Sequence, residues 1–244
     1  MKNKNKNKPY LVVMAMRGEA APLIKALGLA PLRNVFGPEL PSLGYSGRLP
    51  SGRRLYLVLN GVDRATKMDM IGTQMATLTT ALAIRRFKPS AVFNFGTCGA
   101  LAARGAAIGE VYLCRDRVWF HTRRIPVPGW DKYSWGGFRC PNVAGLAKRH
   151  GFKTGVLSTT DSLDHPSFDA ERFDRVGADL ADMEGAAIAW MASLHGLPYY
   201  GLKSVTDLMD LPHKTGEQFH NNFDRVVAVL TEGALRLLAD GAIA

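Results

Sequence analysis

The stretch ADMEGAAIA, residues 181–189, places one acidic residue at the start of a run of small and apolar residues. Glu184 is the only charged residue within residues 183–194. The run Gly185–Leu194 therefore predicts a helix that is buried on all sides and that ends at Gly196. A carboxylate at the mouth of such a helix needs a polar partner or a ligand. Glu184 is thus a candidate functional residue, although a Glu that merely favours the helix dipole is the simpler interpretation.

Strand-like and helix-like runs alternate along the rest of the chain. This alternation predicts an α/β fold, a three-layer α/β/α sandwich around a twisted, mixed and mostly parallel sheet. No long linker interrupts it, so we expect a single domain over residues 9–244 after a disordered basic tail, residues 1–8. Strands are predicted at Tyr10–Met16, Leu55–Leu59, Ala91–Phe95, Glu110–Phe120, Thr154–Leu157 and Tyr199–Val205, and further helices at Glu19–Leu27, Thr66–Arg86 and Thr215–Leu238.

Composition narrows the class of protein and its partners. The chain has 244 residues and a net charge of +10, and four of its lysines lie in the tail. The other basic residues occur in scattered pairs without interleaved aromatics, so no nucleic-acid partner is expected, although an anionic partner stays open. No apolar run is long enough to cross a bilayer, so no membrane association is expected. The three cysteines form no CxxC pair and predict a reducing cytoplasmic location.

Acidic residues follow several of the predicted strands. Glu19 follows the first strand, Asp161 and Asp164 follow a later one, and Asp207 follows the last. In open α/β sheets, ligands bind beyond the carboxyl ends of the strands. We therefore expect these carboxylates to gather with Glu184 at one rim of the sheet and to form the active site.

A rim with several carboxylates and few other reactive groups suits acid–base chemistry, and glycosidic cleavage uses that equipment. The chain has no GxSxG elbow and no Walker lysine motif. Its six histidines lack metal-ligand spacing, and residues 96–99 (GTCG) lack the full dinucleotide pattern. Cys98 is interpreted as a small packed thiol rather than a nucleophile. We expect neither a metal nor an organic cofactor.

Four motifs in register resemble the 5′-methylthioadenosine/S-adenosylhomocysteine nucleosidases of the nucleoside phosphorylase superfamily. The resemblance covers roughly residues 9–240 and is greatest to the plant-type 5′-methylthioadenosine nucleosidases. The family motifs are AMRGE at 15–19, NFGTCG at 94–99, DMEGAA at 182–187 and KSVTD at 203–207. The plant-type segments are HTRRIPVP at 121–128, STTDSLD at 158–164 and TDLMD at 206–210.

The resemblance implies a role for each of three carboxylates. Glu19 matches the glutamate that positions and deprotonates the attacking water, and Glu184 matches the one that binds the ribose hydroxyls. Asp207 matches the general acid that delivers a proton toward adenine N7. The implied reaction is hydrolysis of the N-glycosidic bond of 5′-methylthioadenosine, through an oxocarbenium-like transition state, to adenine and the 5-thioribose product. S-adenosylhomocysteine is a further implied substrate that the sequence leaves undecided.

The resemblance also implies a set of substrate-binding residues and a homodimer. In the family, the loop that matches residues 121–128 reaches into the neighbouring subunit, so Ile125 is expected to cover the methylthio end of the partner's site. The other implied binding residues contact the ribose, the base or the 5′ group and are Val62, Thr97, Cys98, Gly99, Leu163, Asp164, Met183 and Thr206.

Two alternatives share the fold. A purine nucleoside phosphorylase would use phosphate, which prefers Arg donors, but Asn94 stands where many superfamily phosphorylases carry an Arg. A non-catalytic nucleoside-binding or storage relative would be expected to have lost one of the three carboxylates, and all are present. Lys203 and Gly216 stand where bacterial-type nucleosidases have Arg and Phe, as in the plant type. Hydrolysis of the methylthio compound is therefore the favoured function.

Overall fold

The computed structural model describes residues 8–212 and 215–243, so most of the predicted tail lies outside the described residues. The strands are β1 Tyr10–Met14, β2 Ala30–Leu32, β3 Leu43–Arg48, β4 Arg54–Leu59, β5 Ala91–Ala100, β6 Val111–Phe120, β7 Gly136–Arg139, β8 Lys153–Thr159, β9 Leu180–Asp182 and β10 Tyr199–Leu208. The helices are α1 Arg17–Ala26, α2 Thr73–Phe87, α3 Trp130–Trp135, α4 Ala144–His150, α5 Ser167–Arg175, α6 Gly185–Leu194 and α7 Thr215–Leu238.

The strands form one mixed sheet. β1 pairs in parallel with β4 and β5, β10 pairs in parallel with β5, and β8 pairs in parallel with β6 and β9. Antiparallel pairings join β10 to β6, β5 to β9, β6 to β7, and the β2–β3–β4 meander. The parallel strands at the centre carry their carboxyl ends to the same edge of the sheet, and that edge holds the cavity described below.

Both faces of the sheet are covered by helices, because the central strands are apolar on both sides. In β1, Val12 and Met14 pack into a core with residues of α1, α4 and α7. Leu11 and Val13 point the other way and pack with residues of α2 and α6. The α/β/α sandwich predicted from the sequence is therefore confirmed. Among the described residues, no helix is both long and apolar enough to span a bilayer.

The predicted helix Thr66–Arg86 is wrong at its start. The helix α2 begins at Thr73, and residues 61–72 form a loop instead. The Asp63 carboxylate accepts hydrogen bonds from the backbone N–H groups of Ala65 and Thr66 and from the Thr66 hydroxyl. These local bonds offer the backbone an alternative to helix. Gly72 precedes the helix with a φ of 97°, in the region that favours glycine.

The predicted end of the third strand at Phe95 is also wrong, because β5 continues through the GTCG segment to Ala100. That segment pairs in parallel with β10, which itself runs to Leu208 with a bulge between Val205 and Asp207. The glycines make room for neighbouring carboxylates. A Cβ at Gly99 would lie 2.8 Å from Asp207 Oδ2, so a larger residue there would displace that carboxylate. The elements β2, β3, β7, β9, α3, α4 and α5 were not predicted.

Candidate active site

The three carboxylates singled out from the sequence line one cavity at the carboxyl ends of β1, β5 and β10. Glu19 lies in the first turn of α1, Glu184 immediately precedes α6, and Asp207 lies near the end of β10. Each is almost fully buried, with exposed fractions of 3%, 9% and 2% respectively. The expected convergence at the rim of the sheet is therefore present in the structure.

Glu19 is held by a residue of the neighbouring strand β5. Its Oε1 atom accepts hydrogen bonds from the Thr97 backbone N–H at 2.7 Å and from the Thr97 hydroxyl at 2.8 Å. A Cβ at Gly96 would lie 3.3 Å from the same oxygen, so the glycine gives the carboxylate its space. Burial raises the pKa of Glu19, and the Thr97 hydrogen bonds oppose that rise without cancelling it.

Glu184 lies at the N-cap position of α6 but does not cap the helix. Asp182 Oδ2 accepts the Gly185 N–H at 2.8 Å, and the Thr159 hydroxyl accepts the Ala186 N–H at 2.8 Å. The Glu184 side chain is thereby released toward the cavity, where its Oε1 accepts the Gly72 N–H at 2.8 Å. Burial, followed by the charge of Asp182, raises the pKa of Glu184 to about 8. The simpler helix-dipole interpretation does not account for this arrangement.

A buried ion pair that the sequence analysis did not include joins β9 to β10. Lys203 Nζ lies 2.7 Å from Asp182 Oδ2, and the side chains are 2% and 1% exposed. The Thr159 hydroxyl donates to Asp182 Oδ1 at 2.6 Å. The carboxylate of Asp182 raises the pKa of Lys203 despite its burial, so the lysine stays cationic. The position of Lys203 inside the mostly apolar strand β10 was the sequence signal that could have indicated a buried ion pair.

Asp207 directly follows Thr206, the unpaired residue of the bulge in β10, and its Oδ1 atom accepts the Thr206 hydroxyl at 2.8 Å. The amide of Asn222 on α7 donates to the Thr206 backbone oxygen at 3.1 Å and fixes the bulge from the helix side. Burial raises the pKa of Asp207 to about 6, and the Thr206 hydrogen bond only partly offsets this effect. The environment therefore keeps a far larger fraction of this carboxyl protonated near neutral pH than an ordinary aspartate would have.

The other predicted binding residues divide into two groups. Val62 does not line the cavity and instead forms an isolated bridge with Asp69, and Ile125 lies between β6 and α3 outside the cavity. Asp161, which was expected at the rim, caps the start of α2 rather than lining the cavity. The residues that do line it are Thr97, Cys98, Gly99, Leu163, Asp164, Met183 and Thr206.

Two of the six histidines, His121 and His165, also line the cavity, although the sequence analysis assigned them no role. His121 is 1% exposed, and its Nδ1 lies 3.0 Å from the Ser158 hydroxyl. Burial lowers the pKa of His121 to about 4 and also lowers the pKa of His165, so both rings are neutral near pH 7. Among the described residues, Lys203 is the only lysine or arginine that lines the cavity. The described residues contain no cluster of three side chains suited to hold a metal ion.

Comparison with known proteins places this geometry in a family. The model of the phosphorylase superfamily matches residues 9–239. A 5′-methylthioadenosine nucleosidase of Arabidopsis thaliana is 40% identical over 227 residues, covering 93% of this chain and 84% of the relative. A 5′-methylthioadenosine/S-adenosylhomocysteine nucleosidase of the same plant is 36% identical over 230 residues, covering 93% and 89%.

A solved structure agrees with the sequence relatives. The apo form of Arabidopsis thaliana 5′-methylthioadenosine nucleosidase superposes with a TM-score of 0.91 at 38% identity, covering 95% of this chain and 94% of that one. The similarity therefore spans nearly the whole chain in both sequence and fold. The chain belongs to the phosphorylase superfamily and, within it, to the family of the 5′-methylthioadenosine nucleosidases.

Proposed function

We propose that the cavity hydrolyses the N-glycosidic bond of 5′-methylthioadenosine. The observation that carries this proposal is the convergence of Glu19, Glu184 and Asp207, all buried, in one cavity of a chain that belongs to this family. Water attacks the anomeric carbon and the carbon–nitrogen bond breaks. The bonding electrons leave with adenine, which takes a proton at N7. The products are adenine and 5-methylthioribose.

Asp207 and Glu19 divide the proton transfers. Adenine is a poor leaving group as an anion, so protonation at N7 by Asp207 lowers the barrier. The raised pKa of Asp207, about 6, supports this role because it leaves a much larger protonated fraction at neutral pH than an ordinary aspartate has. Glu19 accepts a proton from the attacking water and is oriented for this by the two hydrogen bonds from Thr97.

Glu184 acts on the ribose. Its carboxylate accepts hydrogen bonds from the vicinal hydroxyls and stabilises the positive charge that develops at the anomeric carbon. Burial raises its pKa to about 8. The hydroxyl donors and the developing cation both favour the ionised form, so substrate binding lowers that pKa. Met183 lines the cavity beside it and is placed to lie against the sugar.

The charge of the cavity favours water over phosphate as the nucleophile. Glu19, Asp182 and Glu184 face a single ammonium group, and that group is already paired with Asp182. Asn94 offers no cation, and its amide is engaged by the Val13 backbone oxygen and the Tyr199 hydroxyl. Among the residues that line the described cavity, a phosphate dianion would therefore find no unpaired cation and no Arg fork.

Adenine release from 5′-methylthioadenosine, measured with and without inorganic phosphate, tests the function. We expect the same rate in both and free 5-methylthioribose as the sugar product, because the site activates water. Exhaustive EDTA treatment should leave the rate unchanged. A rate that requires phosphate, or a sugar 1-phosphate product, would establish the phosphorylase alternative. Binding of the nucleoside without any turnover would establish the non-catalytic one.

The methylthio compound is the primary proposed substrate. The relative that is 40% identical is named for 5′-methylthioadenosine alone, whereas the one that is 36% identical is named for S-adenosylhomocysteine as well. Activity on S-adenosylhomocysteine is the second candidate, and it is measured in the same assay with that compound.

The proposed assembly is a homodimer in which the segment 121–128 covers the partner's cavity. Large apolar side chains are exposed around the cavity mouth and on the segment that follows Pro126, an arrangement that is typical of an interface. Ile71 and Leu163 both line the cavity and are 47% and 50% exposed. Val127 and Trp130 are 50% and 58% exposed. We further propose a single domain over residues 9–244, acting in the cytoplasm.

Ile125→Asp tests the shared site. We expect KM for 5′-methylthioadenosine to rise roughly tenfold or more, because a carboxylate would replace an apolar contact of the methylthio group. KM for adenosine should change far less, since its 5′ hydroxyl reaches the loop less. Equal effects on both substrates would show that the loop acts only through folding or dimer stability. A fully active monomer in sedimentation at assay concentration would reject the homodimer.

A further inference from the structure

An aspartate outside the cavity supplies the cap of α2. Asp161 Oδ1 accepts the Thr73 backbone N–H at 2.7 Å, and Asp161 Oδ2 accepts the Thr73 hydroxyl at 2.7 Å. The N-cap residue of α2 is Gly72, which has no side chain that could satisfy the free N–H groups of the first turn. The capping carboxylate therefore comes from a loop 88 residues further along the chain. Asp161 and Thr73 together are called the clasp below.

The residue next to the clasp donates to the catalytic cavity. Gly72 gives its N–H to Glu184 Oε1 at 2.8 Å, and Gly72 and Thr73 are consecutive. A Cβ at Gly72 would lie 2.9 Å from Asp161 Oδ1, so the backbone of Gly72 lies directly against the capping carboxylate. The two hydrogen bonds that Thr73 donates to Asp161 fix the position of Thr73. They therefore also fix the adjacent Gly72 N–H, which contacts Glu184.

The loop of the clasp has a second connection to the cavity. Residues 160–165 follow β8, and Leu163 and Asp164 of this loop line the cavity. At the start of this loop, the Thr160 N–H donates to the Asp182 backbone oxygen at 2.9 Å. The loop is thus joined at one end to the strand before Glu184 and at Asp161 to α2.

We propose that Asp161 is a positioning residue, which through Thr73 holds the Gly72 N–H against Glu184 and fixes the loop that carries Leu163 and Asp164. The proposal rests on the proposed function of Glu184 as the ribose-binding carboxylate. Asp161 touches neither the cavity nor the substrate. Its effect reaches the ribose through the Gly72 backbone and reaches the base side through its own loop.

The proposal predicts a change in how Glu184 ionises. The Gly72 N–H stabilises the ionised carboxylate, so its loss must raise the pKa of Glu184 further. The other groups that bear on Glu184 stay in place, because they belong to different elements. They are Glu19 of α1, Asp182 of β9, Lys203 and Asp207 of β10, and the neutral His121 and His165.

Asp161→Ala tests the clasp, with Asp161→Asn as the conservative variant. Carbon-13 NMR titration of the labelled Glu184 carboxyl should show its pKa rise by ~0.5–1 in the alanine variant, as expected for one lost hydrogen bond. KM for 5′-methylthioadenosine should rise roughly three- to tenfold. The inhibition constant of the 2′,3′-dideoxy analogue should rise less than KM, because this analogue lacks the hydroxyls that Glu184 binds and keeps only the base contacts of the loop. The asparagine variant keeps an acceptor for the Thr73 N–H. Its Glu184 pKa and its KM should therefore stay close to the wild-type values.

Asp240→Ala is the matched control for a purely structural role. Asp240 also caps backbone through the Ala242 N–H and pairs with Arg149 and His150, but it lies away from the cavity. Its loss should lower Tm without moving the Glu184 titration. If Asp161→Ala lowered Tm alone in the same way, the proposal would be overturned. If the Asp161→Ala protein does not fold, Thr73→Val provides the test. It removes one contact of the clasp and should likewise raise the pKa of Glu184.

The NMR titration needs no substrate, so the two proposals fail separately. A wild-type protein that does not cleave any nucleoside refutes the proposed function whatever the clasp variants do. An active wild type whose Glu184 titrates identically in Asp161→Ala refutes the clasp and leaves the proposed function standing.

Discussion

Asp207→Asn is expected to lower kcat for 5′-methylthioadenosine by about 10²–10⁴-fold with little change in KM. The amide keeps the shape of the side chain and still accepts the Thr206 hydroxyl, which donates to Asp207 Oδ1 at 2.8 Å. It carries no acidic proton, so adenine would have to leave without protonation at N7. Steady-state kinetics of adenine release measures the change, and equilibrium binding of the nucleoside checks that the cavity is intact. A kcat near that of wild type would remove Asp207 from the mechanism.

The pH dependence of kcat/KM provides a second test of Asp207 as the general acid. In the wild type, kcat/KM should fall above about pH 6, where the Asp207 carboxyl loses its proton in the free protein. Asp207→Asn should lack this descending limb. Asp224→Asn is the matched control, because Asp224 lies exposed on α7 and makes no contact with the cavity. It should keep both the rate and the limb.

The same substitution should stabilise the fold in alkaline solution. The carboxyl has a pKa of about 6 in the folded protein against 3.8 as its ordinary value, which corresponds to ~3 kcal/mol. Because the folded pKa is the higher one, ionisation costs stability; the cost is absent below pH 3.8 and complete above pH 6. The free energy of unfolding of Asp207→Asn should exceed that of wild type at pH 8 but not at pH 4. A loss of activity caused by misfolding would give the opposite result at pH 8.

The parts of the fold that could be predicted are those whose sequence pattern is uniform. The bounds of α6 and α7, Gly185–Leu194 and Thr215–Leu238, agree with the prediction. In α6 every residue is apolar or small. In α7 apolar residues recur at helical spacing over 24 residues. The strand predicted at Tyr10–Met16 is present as β1, which ends two residues earlier, and the apolar character of its five residues indicated it. Local sequence suffices in these cases because packing and propensity agree.

The parts that were missed depend on distant partners. The extension of β5 through Gly96 and Gly99 follows from its pairing with β10, 107–108 residues further along the chain, and nothing within the GTCG segment indicates it. The start of α2 is set by Asp161 and by the local turn at Asp63. The short strand β9 pairs with both β5 and β8, and only three residues take part. Tertiary contacts override local preference at each of these points.

The candidate site, too, could be predicted only in part. The rule that ligands bind at the carboxyl ends of parallel strands is enough to predict from sequence that Glu19 and Asp207 lie together. The partners of Glu19, Glu184 and Asp182 were not foreseen, because they act through backbone N–H groups or across strands; they are Thr97, Gly72 and Lys203 respectively. Sequence shows which acids are candidates. The hydrogen bonds and burial that set their pKa values arise only when the chain has folded.

Glu19→Gln is expected to lower kcat by about 10²–10⁴-fold, because the amide cannot accept the proton of the attacking water. The Gln oxygen can still accept the Thr97 N–H and hydroxyl, so the position of the side chain should be kept. Binding of adenine and of the intact nucleoside should therefore survive. Single-turnover measurements of adenine release separate this chemical defect from slow product release.

The acid side of the pH profile distinguishes a base from a charge that only repels phosphate. Burial raises the pKa of Glu19, so kcat/KM of the wild type should fall in acid as this carboxylate gains a proton. Glu19→Gln should lose that limb, whereas Glu232→Gln, on the exposed side of α7, should keep both the limb and the rate. If Glu19→Gln instead kept its turnover and became dependent on added phosphate, Glu19 would be a selectivity residue and water would be activated elsewhere. Loss of turnover at every phosphate concentration is the outcome that makes it the base, because only the proton acceptor has then been removed.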